Sequence, residues 1–492
     1  MLSPRRTAIV AALGVAVASV GVAAATTATS IPGLTAYLAT HAGGSTSEAT
    51  AKASSVPPAT PRARCGPGSR PESGRQGRVP LADYASGRAA RGYTCNAVRV
   101  GQTGTTGGFK TLRYTDRTGR VCAFYDGTLL YPTAAFHGET GGTHVLDMSN
   151  PALPVETARL VTPAMNSPHE SLVVSQTSGL LAAAMGSPVT APGIVDVYDV
   201  SSDCRHPVLQ SSTPLGILGH ESGFSPDGRT LWISTTAQPG VTAIDVSNPR
   251  MPSIVWRDDV HTFHGMTLSA DGTRLYGSEL GDRPGLTILD VSQVQRRVAN
   301  PGAPEISHLT WPEVSIPQNT IPVTIKGHKY LVEFDEYARN PTSYAPEAPV
   351  GAARLISIDD DRHPRVVSTI RLEVHQPAAR AGEQKDDPGA QYGVQGYAAH
   401  YCGVPRAKDP GIVACSFILS GMRVFDIRDP KRPREVAYFN TPAPNTLPLM
   451  SGSYAMSAPT FDIARRQVWY TDGDSGFHAV RLTNGAWPAS LR

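Results

Sequence analysis

The chain has 492 residues, 40% of them hydrophobic, so it can bury a large core. Its 47 Gly and 42 Pro exceed the usual share of roughly 12% for this pair, and its 17% charged residues fall below the usual ~25%. This composition excludes a coiled coil or a long helical bundle, and the formal charge of +3 leaves no electrostatic case for nucleic acid or an anionic membrane surface as partner.

In chain order, Arg5-Arg6 precede an apolar run from Ala8 to Ala25 and then a stretch of small residues. A basic segment, an apolar segment and a small-residue zone predict a secretory signal peptide over residues 1–30 and a secreted mature chain. A membrane anchor competes, because the run approaches spanning length. Its Ala- and Gly-rich character favours cleavage, and no second run of membrane length follows. Arg5-Arg6 also suggests a twin-arginine signal, although Thr7-Ala8 fits that pattern poorly. Residues 31–64 are small, polar and Pro-containing and read as a flexible linker. Residues 65–94 form an N-terminal extension, and residues 95–492 form the main domain.

Six cysteines in an exported chain predict three disulfides, and no C-x-x-C pair argues for a thiolate zinc site. Between Cys402 and Cys415 lie Gly403, Pro405 and Asp409-Pro410-Gly411, which read as a hairpin loop. Strands flanking such a loop bring the two thiols together, predicting that bond. Cys65–Cys95 is the next choice, leaving Cys122–Cys204.

A repeat dominates the remainder. It reads Val145-Leu146-Asp147-Met148-Ser149-Asn150-Pro151, then Val197-Tyr198-Asp199-Val200-Ser201, then Ala243-Ile244-Asp245-Val246-Ser247-Asn248-Pro249. Further copies are Ile288-Leu289-Asp290-Val291-Ser292 and Val424-Phe425-Asp426-Ile427, with variants at Leu355–Asp359 and Ala479–Leu482. Seven copies spaced 45 to 69 residues apart suit the four-stranded blades of an all-β, seven-bladed β-propeller. Ser225-Pro226-Asp227-Gly228 and Ser269-Ala270-Asp271-Gly272 supply hairpin turns within the blades. The last copy runs out of chain soon after Leu482. The outer strand of its blade is therefore expected from the N-terminal side, from Asn96–Gln102 or Lys110–Asp116, which removes an exposed edge.

The phrases Gly193-Ile194-Val195-Asp196-Val197-Tyr198-Asp199-Val200 and Gly421-Met422-Arg423-Val424-Phe425-Asp426-Ile427 resemble the repeat of the LVIVD-repeat propeller proteins. Over roughly residues 65–492 the chain looks like exported actinobacterial members of that group. The resemblance implies architecture and leaves activity open, since propellers host binding, scaffolding and catalysis alike.

Histidines recur just before the inner strands: His169 in Pro168-His169-Glu170-Ser171, His220 in Gly219-His220-Glu221-Ser222, His264 in His261-Thr262-Phe263-His264, and His400 in Ala399-His400-Tyr401. Aligned on the repeat, the four occupy one position in four blades, so radial repetition makes them converge at the channel mouth. Several neutral imidazoles in one place are a candidate site for Cu, Zn or Fe. Glu279, and Asp335 or Glu336, end second strands on the same face, while Gln318 and Tyr454 stand near the His position of the fifth and seventh blades. His137 and His144 flank a Gly-rich turn and are weaker candidates. The competing reading of His220 is structural, because a Gly-His pair before an inner strand holds a turn in WD-type propellers.

Three motifs are discounted. Gly473-Asp474-Ser475-Gly476 lacks the context of a serine-protease nucleophile, and Asp472–Gly476 has Thr483 where an EF-hand requires Glu. Gly104–Thr111 reads as a flexible turn because Phe109 interrupts the phosphate-loop pattern. Two functions remain. One is a secreted propeller that binds a small ligand, glycan or protein on its channel face, at Glu170, Glu221, Glu279, Gln318, Glu336 and Tyr454. The other is a Cu- or Zn-dependent enzyme, in concept an oxidase, with His169, His220, His264 and His400 as ligands and Glu170, Glu221 or Glu279 as acid, base or supporting groups.

Overall fold

The computed structural model describes residues 56–127, 141–185, 193–215, 219–236, 240–337, 349–388, 396–444 and 453–491. The expected signal peptide, most of the expected linker and His137 lie outside these residues.

Seven antiparallel sheets form the ring of a β-propeller. Blade one comprises Thr111–Thr115, Val121–Asp126, Thr143–Asp147 and Val155–Leu160, and blade two Val173–Val174, Leu180–Ala184, Ile194–Asp199 and Val208–Pro214. Blade three comprises Ser222–Phe224, Thr230–Ser234, Val241–Asp245 and Ser253–Asp258. Blade four follows with Phe263–Leu268, Arg274–Glu279, Gly285–Asp290 and Glu305–Leu309. Blade five has Ile316–Ile325, His328–Glu336, Ala353–Ser357 and Arg365–Ile370. Blade six has Ala399–Gly403, Ile412–Phe417, Gly421–Asp426 and Arg434–Asn440, and gains a fifth, outermost strand, Tyr93–Cys95. Blade seven has Thr460–Asp462, Gln467–Asp472 and Gly476–Leu482, completed by Ala97–Thr103. Of the two N-terminal segments expected to close the ring, the first does so; the second forms the inner strand of blade one.

The strand sequences explain the ring. Along Leu180–Ala184, Leu181 and Ala183 pack towards blade one, while Leu180, Ala182 and Ala184 pack towards blade three. Both faces of a middle strand are therefore buried, and its sequence is continuously apolar instead of alternating. The repeated Asp has a local cause. Asp147, Asp199, Asp245 and Asp290 each accept the N–H two residues on, from Ser149, Ser201, Ser247 and Ser292, at 2.7–2.9 Å. This carboxylate-to-backbone turn ends each third strand and points the chain into the outer one.

All three disulfides join the expected partners, Cys65–Cys95, Cys122–Cys204 and Cys402–Cys415. Cys402 and Cys415 stand directly opposite each other on paired strands, with Cα atoms 4.0 Å apart. The stretch expected as linker through residue 64 is bonded from Thr60 onward: Thr60 N–H donates to Arg371 O, Arg62 pairs with Glu373, and Ala63 N–H donates to Glu435. Behind it, Arg423 is enclosed between Glu72 and Glu435, which pins the extension to blade six. Among the described residues no helix is long and apolar enough to cross a membrane.

Candidate metal centre in the channel

Three successive inner strands carry a β-bulge at the same place. In blade four two residues, His264 and Gly265, oppose one between the Phe263–Glu279 and Met266–Gly277 pairs. In blade five the extra residue is Gln318, and in blade six His400 and Tyr401 lie between the Ala399–Phe417 and Cys402–Cys415 pairs. A bulge re-aims side chains that regular pleating would send between blades. Gly265 permits the close packing this needs, since a Cβ there would stand 2.5 Å from Gln318 O. On blades two and three the equivalent residues are Glu170 and Glu221, joined by a parallel bridge.

The imidazoles converge. His220 Nε2 lies 3.0 Å from Glu170 Oε2, and His264 Nε2 lies 3.6 Å from the same oxygen and 3.5 Å from Glu336 Oε1. His400 Nε2 lies 3.2 Å from Glu170 Oε1 and 3.0 Å from Glu336 Oε2. The rings of His169 and His220, and of His220 and His264, are 4.6 Å apart. Glu170, His264, Glu336 and His400 are buried, and His169 is half-buried at the edge. His169 and Tyr337, which stacks on His400, hold positive φ of 51°, a strained setting for such side chains that costs about 1–3 kcal/mol.

The tautomers are set from outside the cluster. His264 Nδ1 donates to Pro317 O at 2.9 Å and His400 Nδ1 to Met456 O at 2.5 Å. A carbonyl only accepts, so Nδ1 carries a proton and Nε2 is the nitrogen turned towards the carboxylates: protonated it donates to them, deprotonated it offers a lone pair to a metal. His220 Nε2 and His400 Nε2 are enclosed, and the groups that meet them are the Glu170 and Glu336 carboxylates. Burial alone would lower His400, but the Glu170 and Glu336 carboxylates outweigh it and push the ring up to about 9. Burial alone would raise Glu170, yet the charge of His220 and the bonds from His220 and His400 hold it well below the carboxylate range. Glu336 is pushed up by burial, which His400 only partly offsets.

Beside this cluster runs a second polar chain. Gln318 Nε2 donates to Glu170 Oε2 at 2.6 Å and to the Tyr401 hydroxyl at 2.7 Å. Tyr401 donates to Glu221, whose oxygens take Lys110 Nζ at 2.8 and 2.9 Å. Lys110 also stands 4.2 Å from the Tyr401 ring centre, and burial raises Tyr401 well above the ordinary phenol. Lys110, Tyr401 and Phe109 are site residues that the sequence reading missed. The Gly104–Thr111 segment, expected as a flexible turn, is instead held down: Phe109 N–H and Lys110 N–H donate to Asp126, and a Cβ on Gly108 would meet Asp126 Oδ2 at 1.7 Å.

Other expected members lie elsewhere. Glu279 accepts from Thr262 N–H and Thr287 Oγ1 at the edge of blade four, bound to its own blade. Asp335 is taken by Arg354, Ser315 N–H and Trp311 Nε1, so of the two carboxylates proposed there only Glu336 reaches the channel. Tyr454 packs in the apolar cluster with Phe109 and Met456, and its N–H donates to Asp472. His144 pairs with Glu156 and stacks on Tyr125, on the third strand of blade one. His220 does both things expected of it: Nε2 approaches Glu170 on the neighbouring blade, and Nδ1 lies 3.5 Å from Thr236 Oγ1 on its own.

Donors on one transition-metal ion, at about 2.1 Å each, stand roughly 3.0–3.4 Å apart at adjacent vertices. The 3.0–3.2 Å spacings of His220 and His400 match that edge length, which is also that of an N–H···O bond, and the 3.5–3.6 Å spacings of His264 slightly exceed it. Among the described residues, two sets of three bring ligand atoms within 4.8 Å of one another and could hold a metal ion, His169 with Glu170 and His220, and Glu170 with Glu336 and His400, while His264 stands beside both.

No family model matches the chain, and no curated protein matches it. Among solved structures, the chain is similar to a presumed 6-phosphogluconolactonase of Bacteroides uniformis at 12% identity, covering 73% of this chain and 91% of that one, with a TM-score of 0.49. It is similar to hydrazine synthase of Kuenenia stuttgartiensis at 10% identity, covering 78% and 97%, with a TM-score of 0.49. A third likeness is to the periplasmic gluconolactonase PpgL of Pseudomonas aeruginosa, at 13% identity, covering 67% and 85%, with a TM-score of 0.42. At these values the likenesses bear on no residue of the site.

Proposed function

We propose that the chain is a secreted metalloenzyme of LVIVD-repeat type that binds Cu or Zn at the mouth of its propeller channel and acts on a small molecule entering there. One observation carries this reading. Imidazole nitrogens from three blades, two of them with the opposite nitrogen tied to a backbone carbonyl, face two buried carboxylates at metal-ligand spacing. Charge is consistent with it. Glu170, Glu221 and Glu336 are buried with Lys110 as their one ammonium, and a metal ion that displaces the protons of His220 and His400 takes over the balancing charge those imidazoles otherwise carry. A metal bound there supplies Lewis-acid or redox chemistry. The chain itself supplies the aromatic wall of Phe109 and Tyr337 and the half-buried His169 at the open side. Three disulfides accord with an oxidising, extracellular setting.

The test is elemental analysis of the purified protein, followed by metal titration of chelator-stripped protein. Stoichiometric metal in the wild type and at least tenfold weaker binding in His264→Ala and His400→Ala are expected. A metal-free wild type, indifferent to chelator and to added Cu or Zn, returns the channel to a plain ligand-binding role.

A further inference from the structure

Two sets of three ligand residues occupy the channel, and they share one member. His169, Glu170 and His220 present ligand atoms within 4.8 Å of one another, as do Glu170, Glu336 and His400. The shared carboxylate divides its oxygens between the sets. Glu170 Oε2 faces His220 at 3.0 Å, while Oε1 faces His400 at 3.2 Å. Each set also contains one enclosed imidazole nitrogen facing a Glu170 oxygen, His220 Nε2 in the first and His400 Nε2 in the second, so each oxygen of the shared carboxylate has its own imidazole.

Resting on the metal-centre reading above, we propose that the channel holds a pair of divalent ions bridged by Glu170. The first ion takes His169, His220 and Glu170 Oε2; the second takes His400, Glu336 and Glu170 Oε1. His264 Nε2, within 3.6 Å of both Glu170 and Glu336, completes the pair. A carboxylate bridging in this way sets two ions about 3.5–4 Å apart, the separation of known two-metal sites.

Charge then names the ligand class. Three buried carboxylates against the Lys110 ammonium leave two negative charges, and two divalent ions exceed these by two. The loaded pair is a net cation in a low-dielectric channel, where it attracts an oxyanion such as a phosphate or carboxylate group. Lys110 does not supply that attraction, because it is consumed by Glu221.

The experiment uses the full chain, stripped with chelator and titrated with Zn²⁺ by calorimetry, with bound metal counted after gel filtration. Circular dichroism and thermal melting confirm folding of each variant. Two ions per wild-type chain are expected, falling to one in Glu336→Gln and one in His220→Ala. Inorganic phosphate is expected to bind the loaded wild type at least tenfold more tightly than the stripped protein. A folded wild type holding a single ion overturns the bridged pair while leaving the metal-centre reading intact. A folded wild type holding none overturns both. Two ions undiminished in both variants overturns the ligand assignment, and phosphate binding indifferent to metal overturns the oxyanion assignment.

Discussion

Blades two and three enter the channel with the same tripeptide, His-Glu-Ser, at 169–171 and 220–222, and their glutamates are bridge partners. Their carboxylates nevertheless meet opposite chemistry. Glu221 is taken by an ammonium from blade one and a phenol from blade six, whereas Glu170 is surrounded by imidazoles and the Gln318 amide. The shared tripeptide places both glutamates on the channel side although its backbone differs, with His169 at a positive φ of 51° and His220 not, and the charge environment comes from blades across the ring. The distinction is chemical: Lys110 is a permanent partner, while imidazole lone pairs can exchange a proton for a metal ion.

Breaking the comparison at its stronger pole gives the largest effect. Lys110→Met leaves Glu221 buried without its cation and should cost about 3–5 kcal/mol in urea unfolding, part of which Lys110→Met/Glu221→Gln recovers. At the other pole, Glu170→Gln should weaken Zn²⁺ binding at least tenfold while Glu221→Gln leaves it nearly unchanged; equal losses would erase the distinction. The Cys402–Cys415 bond clamps the bulge that supplies both His400 and Tyr401, so it serves both poles. Its double Ser variant should lose about 3 kcal/mol and lower metal affinity as well, measured by the same unfolding and titration.

A histidine buried away from carboxylates sharpens the contrast by reversing the sign. His375 donates from Nε2 to Tyr397 O, accepts Leu372 N–H at Nδ1, and burial lowers it to about 3. The unfolded chain takes up this proton near pH 6.5 and the folded chain only near 3. The folded state thus binds fewer protons in that window, so stability is full above pH 6.5 and falls as pH drops towards 3. His375→Gln should flatten the stability change between pH 6.5 and 5 by roughly 2 kcal/mol, read from denaturant midpoints. The smallest effect belongs to what the blades share. Asp199→Ala removes one carboxylate-to-backbone turn at 2.7 Å and should cost about 1 kcal/mol with metal binding unchanged.

The ring was legible in the sequence because its cause is local. The apolar strand, the Asp turn and the outer strand recur in one stretch of chain, and each copy can be read without the others. Four histidines were legible for the same reason, through their offset from the repeat. Lys110 was not, since its partner lies across the channel, and no spacing rule links inner strands of blades one and three. The one available signal was positional: residues 109–110 hold in blade one the place that the His-Glu pairs hold elsewhere. Glu279 was misplaced because the end of a second strand fixes the height of a carboxylate in the blade but not its reach to the axis. Thr262 and Thr287 capture it first.

The pairing of Ala97–Thr103 with Gly476–Leu482 has a consequence for the order of events in synthesis. The strand that seals blade seven is made before any blade and waits for a partner made after the other six. Until the final blade emerges, an N-terminal ribbon and an open sheet edge persist together on one chain. Bringing together two strands that flank all the other blades is slow compared with forming any one blade, so the final joining should set the folding rate. A permuted chain beginning at blade one, with Ala97–Thr103 following Leu482, would assemble its blades in sequence and fold faster at similar stability.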